Sequence, residues 1–265
     1  RFSSFVSIRS KPWLLIAGAA IIIASIAVVL PPTPQPLTYH NFADHRAWLG
    51  IPNFGDVTSN IPFAIVGLWG LAFISTLKSP SYGNHFADQS EHWFYIVVFC
   101  GLILTAFGSS YYHLAPDNER LVWDRLPMAI VFMSMVAAVI AERISLRAGL
   151  RLWPLLLAIG IGSVVQWHYS EVHGHGDLRF YAAVQAYSGI VLLLALFLPP
   201  KYTRTSDFAV VAGFYALAKI LESTDKMIFS VGHIISGHTL KHVAAAGAGY
   251  WILRMLQKRE VIESR

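Results

Sequence analysis

The chain is poor in charge. Of its 265 residues only 13% are Asp, Glu, Lys or Arg, while 55% are hydrophobic. Soluble globular domains carry about 25% charged residues, so this composition excludes that class and predicts an integral membrane protein. Cysteine is nearly absent. The single Cys100 lies in an apolar run, which excludes an internal disulfide and a spaced thiol motif. The net charge of +5 does not indicate nucleic acid, because the basic residues gather in a few connections between apolar runs. There is no long internal repeat, no EF-hand spacing and no clear cleavage motif after the first apolar run. The run is therefore read as a retained helix.

Apolar segments recur at about 13–30, 61–77, 92–112, 121–141, 152–167, 180–198, 208–221 and 234–255. They predict an all-α polytopic membrane protein of about eight helices. The segment PPTPQP, Pro31 to Pro36, ends the first of them as a stiff linker. Three regions are expected: residues 1–38 as an N-terminal helix and linker, 39–256 as the main membrane domain, and 257–265 as a tail. Alternation places Arg1, Arg9 and Lys11, Arg143, Arg147 and Arg151, Lys201 and Arg204, and Arg254, Lys258 and Arg259 on one side. Asp44, Asp56, Asp117, Glu119, Glu171, Asp177 and Asp225 fall on the other. The positive-inside rule makes the basic side cytoplasmic, with both termini inside. The connection 78–91 is near neutral and adds nothing to the choice.

Chemistry concentrates in FGSSYYHLAPDNERLVWDRLPM, residues 107–128. Ser109 and His113 are four apart and share a helix face. A short polar link makes the two flanking helices antiparallel neighbours, which brings Asp124 to a similar depth. Near the C-terminus, SGHTLKH offers His238 and His242 at the i, i+4 spacing that presents two imidazoles to one metal. Three histidines with one open position form a catalytic zinc pattern. No HExxH glutamate is present, so Asp124 is the candidate base, weighed evenly against pairing with Arg120 or accepting a hydrogen bond from a histidine N–H. Ser109 is a candidate oxyanion donor, weighed against a hydroxyl bonded to its own helix. Lys219 and Glu222 are expected to pair with each other. His168, His173 and His175 read as a solvated loop. Asp44, Asn53 and Asp56 sit in an oxygen-rich stretch that could hold a calcium ion. Its plainer reading is a turn entering the helix at Ile61, capped by Ser59 or Asn60.

The motifs GSSYYH, WDRLPM and SGHTLKH, supported by DVTSN at Asp56 and ESTDKMIF at Glu222, resemble the alkaline ceramidase family. That family lies in a wider group of seven-helix membrane hydrolases that includes the adiponectin-receptor type. The resemblance spans roughly residues 44–251. It implies a seven-helix core plus one extra N-terminal transmembrane helix, zinc on His113, His238 and His242, and catalysis by Asp124 and Ser109. It further implies a ceramide-like lipid substrate, split into fatty acid and sphingoid base, in a bacterial inner membrane; the loop-charge alternation places the histidine ends of the helices toward the outer face. Two departures stand out. Asn53 replaces a family glutamate in the calcium segment, whose acidic cluster is reduced to Asp44. Arg125 replaces the acidic residue that follows the family's aspartate. The residues alone leave open a receptor or sensor with a structural zinc, and a haem electron carrier.

Overall fold

The computed structural model describes residues 11–77 and 84–262. Arg1, Arg9, Lys78 and residues 263–265 of the expected tail lie outside them. The described residues are all-helical, with two isolated bridges, Trp48 to Ile51 and Tyr202 to Val261, and no strand. The helices are α1 (Pro12–Val29), the short α2 (Phe54–Thr58), α3 (Ile61–Thr76), α4 (His92–Leu114), α5 (Asn118–Arg143), α6 (Leu146–Val172), α7 (Arg179–Leu194), α8 (Asp207–Ser223), the short α9 (Asp225–Ser230) and α10 (Gly237–Lys258).

Five segments are long and apolar enough to cross a membrane: Pro12–Val29, Phe54–Thr76, Gln89–Leu114, Asn118–Arg143 and Leu146–Val172. α7 and α8, of 16 and 17 residues, fall short of the roughly 20 that a perpendicular span needs. α10 is long enough at 22 residues but carries Lys241, Arg254 and Lys258. The eight apolar runs thus correspond to eight helices of unequal character.

α4, α5 and α6 form the centre, with α3 against α4 and α10 against α8. α1 packs on the outside of α7, burying only Ile16 and Ala27. The Pro-rich segment after it is stitched down rather than free. The Leu178 amide donates to the Thr33 carbonyl, the Gln35 amide donates to Glu171, and Arg179 donates to the Leu30 carbonyl. Residues on either side of position 38 therefore share one packed body, and Gln35 is buried inside it.

The link between α4 and α5 is three residues long, Ala115 to Asp117. Asp117 caps α5, its carboxylate accepting from the Arg120 amide at 2.7 Å. Two features then draw the hairpin together beside Ser109 and Asp124. Pro127 has no N–H, which leaves the Trp123 carbonyl without its intrahelical donor. Gly108 packs directly on that carbonyl, where any Cβ would collide with it.

Candidate metal centre

His113 stands at the last turn of α4, and His238 and His242 occupy the first turns of α10. All three are buried. One ligand nitrogen from each lies within 4.8 Å of the others, and this is the only such grouping of three among the described residues. The Nε2 atoms of His113 and His238 are 3.2 Å apart. Two nitrogens bound to one tetrahedral zinc at 2.0–2.1 Å would be separated by about 3.3 Å. That pair matches the spacing of two ligands on one small ion, and the His242 ligand nitrogen lies within 4.8 Å of both.

Several elements fix these imidazoles. The Asn53 amide donates to the His113 carbonyl at 2.8 Å, closing the end of α4. At the start of α10, Ser236 accepts from the Thr239 amide at 2.9 Å, and Asp225 accepts from the His238 amide at 2.8 Å. The other Asp225 oxygen accepts from the Ala43 amide at 2.8 Å, tying the loop before α2 to the same corner. A glycine is needed at 237, where a Cβ would meet the Leu221 carbonyl and the Asp225 backbone. Ser59 Oγ lies 2.8 Å from His242 Nδ1, which leaves the opposite nitrogen of that ring for a metal. The Phe42 ring covers the cluster, its centroid 4.7 Å from that of His113 and 4.2 Å from that of His238.

Asp124 and Ser109 come to this end of the bundle as the hairpin reading expects. Ser109 Oγ is buried, makes no hydrogen bond to its own helix, and has the Asp124 carboxylate as its polar neighbour. Arg120 pairs with Asp117 instead of Asp124, so the ion-pair alternative for Asp124 falls away. Asp124 lines a cavity of 970 Å³ between α4, α5, α7, α8 and α10. Lys241 shares that wall, with Nζ 3.3 Å from His238 Nε2 and 2.8 Å from Glu222. Lys219 and Glu222 pair as expected, at 3.0 Å. His173 and His175 are exposed, and His168 faces Glu119 at 3.5 Å.

The calcium residues make separate hydrogen bonds, and of their carboxylate oxygens Asp56 Oδ2 is left buried without a partner. Both Asp44 oxygens are held by Arg46 at 2.7 Å, and these hydrogen bonds keep the carboxyl below the usual aspartate range. Asn53 is bonded to His113 and His45, and Asp56 accepts from Thr239 at 2.7 Å and from Ser236 at 3.3 Å. Calcium takes six to eight oxygens, and the hydrogen bonds of these three residues point to different partners. The expected capping is also displaced. Ser59 is turned toward His242, and the Asn60 amide donates back to the Asp56 carbonyl. α2 leads almost directly into α3, whose second residue, Pro62, has no amide proton to satisfy.

Gln35, Phe42, Ser59 and Lys241 complete the site without having been picked out by motif. Lys241 lay inside SGHTLKH, and Phe42 and Ser59 inside the oxygen-rich stretch, yet none of them was read as a site residue. No family model matches the chain, and no curated protein matches it.

Proposed function

We propose that this chain is a membrane-embedded zinc hydrolase acting on lipid amides of the ceramide type. The observation that carries the reading is a cluster of three buried histidines beside an apolar cavity whose wall holds Asp124, with the Ser109 hydroxyl next to that carboxylate and Lys241 bridging from the cavity to His238. Zinc, when bound, would supply a Lewis acid that polarises a carbonyl and eases deprotonation of water. Asp124 takes the proton from the attacking water and returns it to the leaving nitrogen. Ser109 Oγ donates to the oxygen that becomes negative as the carbonyl turns tetrahedral. Ser59 holds the His242 ring, and Phe42 keeps bulk water from the cluster.

Access supports a substrate already dissolved in the bilayer. α8 packs mainly on α10 and touches α7 sparsely. Small residues, Ala182, Ala186 and Gly189 on α7 and Ala209, Gly213 and Ala216 on α8, line the cavity among larger ones, and the Tyr215 hydroxyl donates to Gln185 across the seam at 3.1 Å. Nothing would contact a Cβ added at Gly189 or Gly213. A lipid can pass its tails through this seam and present its amide to Asp124. In this reading all eight long helices span the membrane, seven as a core with α1 added. Both termini lie inside, and the histidine end faces outward across a bacterial inner membrane.

The haem alternative is disfavoured by the 3.2 Å between Nε2 atoms, which leaves no room for a porphyrin plane. The deciding experiment combines elemental analysis of purified protein with mass spectrometry of products from ceramides, N-acyl amines and esters in micelles. About one zinc per chain and release of free fatty acid are expected. Zinc-loaded protein that cleaves none of them, yet binds a signalling lipid tightly, would favour the sensor reading. Cysteine labelling at positions 147 and 171 from opposite sides of the membrane tests the topology, and labelling of both from one side would reject it.

A further inference from the structure

The cavity contains a buried cation that nothing in the protein neutralises directly. Arg125 is 5% exposed and lines the cavity beside Asp124. Its one hydrogen bond among the described residues runs from Nη2 to Gln35 Oε1 at 2.6 Å. Nη1 is buried with no partner. The guanidinium is otherwise held by aromatic faces, 4.1 Å from the Trp167 ring, 4.8 Å from Tyr181 and 5.7 Å from Tyr39. No carboxylate pairs with it among the described residues. Buried charges are ordinarily paired, and a guanidinium with free N–H groups is shaped for a two-oxygen anion.

The other charges of the cavity do not meet this need. Lys219 and Lys241 both bond Glu222, at 3.0 and 2.8 Å. That leaves Asp124 against one surplus lysine charge and Arg125. The wall is therefore net positive before any metal is added.

We propose that Arg125 binds an anionic group of the substrate, a carboxylate or phosphate placed within a few bonds of the scissile amide. Asp124 and Arg125 line the same cavity and feel each other's charge, so an anion on Arg125 shares the chamber served by Asp124. Gln35 positions the guanidinium through Nη2 and leaves Nη1 without a partner. The inference rests on the hydrolase reading and narrows its substrate from neutral ceramide to an acidic N-acyl lipid.

The test uses the full chain in nanodiscs, loaded with zinc, and two matched pairs of lipids. N-palmitoyl glycine against N-palmitoyl ethanolamine reports a carboxylate, and ceramide phosphate against ceramide reports a phosphate. At least one acidic member should be preferred by roughly 10- to 100-fold in kcat/KM, the range of a charged hydrogen bond. Arg125→Gln should bring that ratio near one with zinc content unchanged, while Arg125→Lys retains part of it. Equal rates within both wild-type pairs overturn the proposal and leave the hydrolase reading standing. The wild-type ratios decide even if the variants fail to fold. If no amide is cleaved at all, the hydrolase reading fails. Thermal stabilisation of wild type by N-palmitoyl glycine beyond that by N-palmitoyl ethanolamine then still supports anion binding at Arg125, and equal stabilisation rejects it.

Discussion

Two buried arginines occupy opposite ends of the bundle in similar aromatic surroundings. Arg259 sits against Tyr202, Phe86 and Tyr95, with ring centroids 4.0, 4.9 and 5.1 Å away. It reaches Glu142 at 2.6 Å, the Tyr95 hydroxyl at 3.2 Å and the His85 carbonyl at 2.8 Å. Glu142 also accepts from the Tyr95 hydroxyl at 2.7 Å. Arg125 has the rings but only Gln35 as a polar partner. The first arrangement closes the bundle, because its charge is answered by the protein itself. The second leaves a charge to be answered by something that enters. The contrast lies in the carboxylate and not in a full set of hydrogen bonds, since Arg259 Nη2 is as unpartnered as Arg125 Nη1.

The strongest way to break this comparison is at the metal. His238→Ala should abolish zinc binding and activity together, measured by elemental analysis and product release. Unchanged zinc content would remove the functional meaning of the histidine end. Asp124→Asn should keep zinc while turnover falls on the order of 10²–10⁴-fold, as for loss of a general base. Wild-type turnover would reduce Asp124 to a structural group. At the other end, Arg259→Met leaves Glu142 buried without its cation. It should destabilise the fold by about 3–5 kcal/mol while zinc per folded molecule stays the same. A loss of zinc without a loss of thermal stability would show that the two ends are not separate.

Smaller effects sharpen the division. Ser59→Ala removes the partner of His242 Nδ1 and should weaken zinc affinity roughly 10- to 100-fold, read by competition with a chelating dye. The smallest expected effect is at the loop before α2. Arg46 lowers the Asp44 pKa through its hydrogen bonds. A lowered folded-state value means the stabilisation is complete above the unfolded pKa of about 4. It is lost as pH falls through the lower folded value. Arg46 is half exposed, so the effect is slight. Asp44→Asn should flatten the acid limb of thermal stability, and an unaltered limb would show that the pair contributes nothing.

Much of the histidine end was legible because helical spacing and a short hairpin link are local. His238 with His242, and Ser109 with His113, needed only the period of a helix. Gln35, Phe42 and Ser59 were not legible as site residues, because they come from extended or turn segments whose contacts no period predicts. Arg259 read as a loop charge marking the cytoplasmic side, yet it is 1% exposed. Charge counting does not see the aromatic rings and carboxylate that draw it inward. The seam between α7 and α8 was equally hidden, since alanines and glycines look the same in a packed helix and in a gap.

On the proposed lipid-amide reading, that seam sets the unit in which substrate should be counted. A molecule that arrives sideways from the bilayer meets the protein in two dimensions, so its mole fraction among the lipids governs the rate. Adding more vesicles of fixed composition would leave turnover per protein unchanged. Diluting the substrate with inert lipid below saturation would lower it in proportion, although the total amount in the tube stays the same. Membrane composition then acts as a dial on activity without touching any residue of the site.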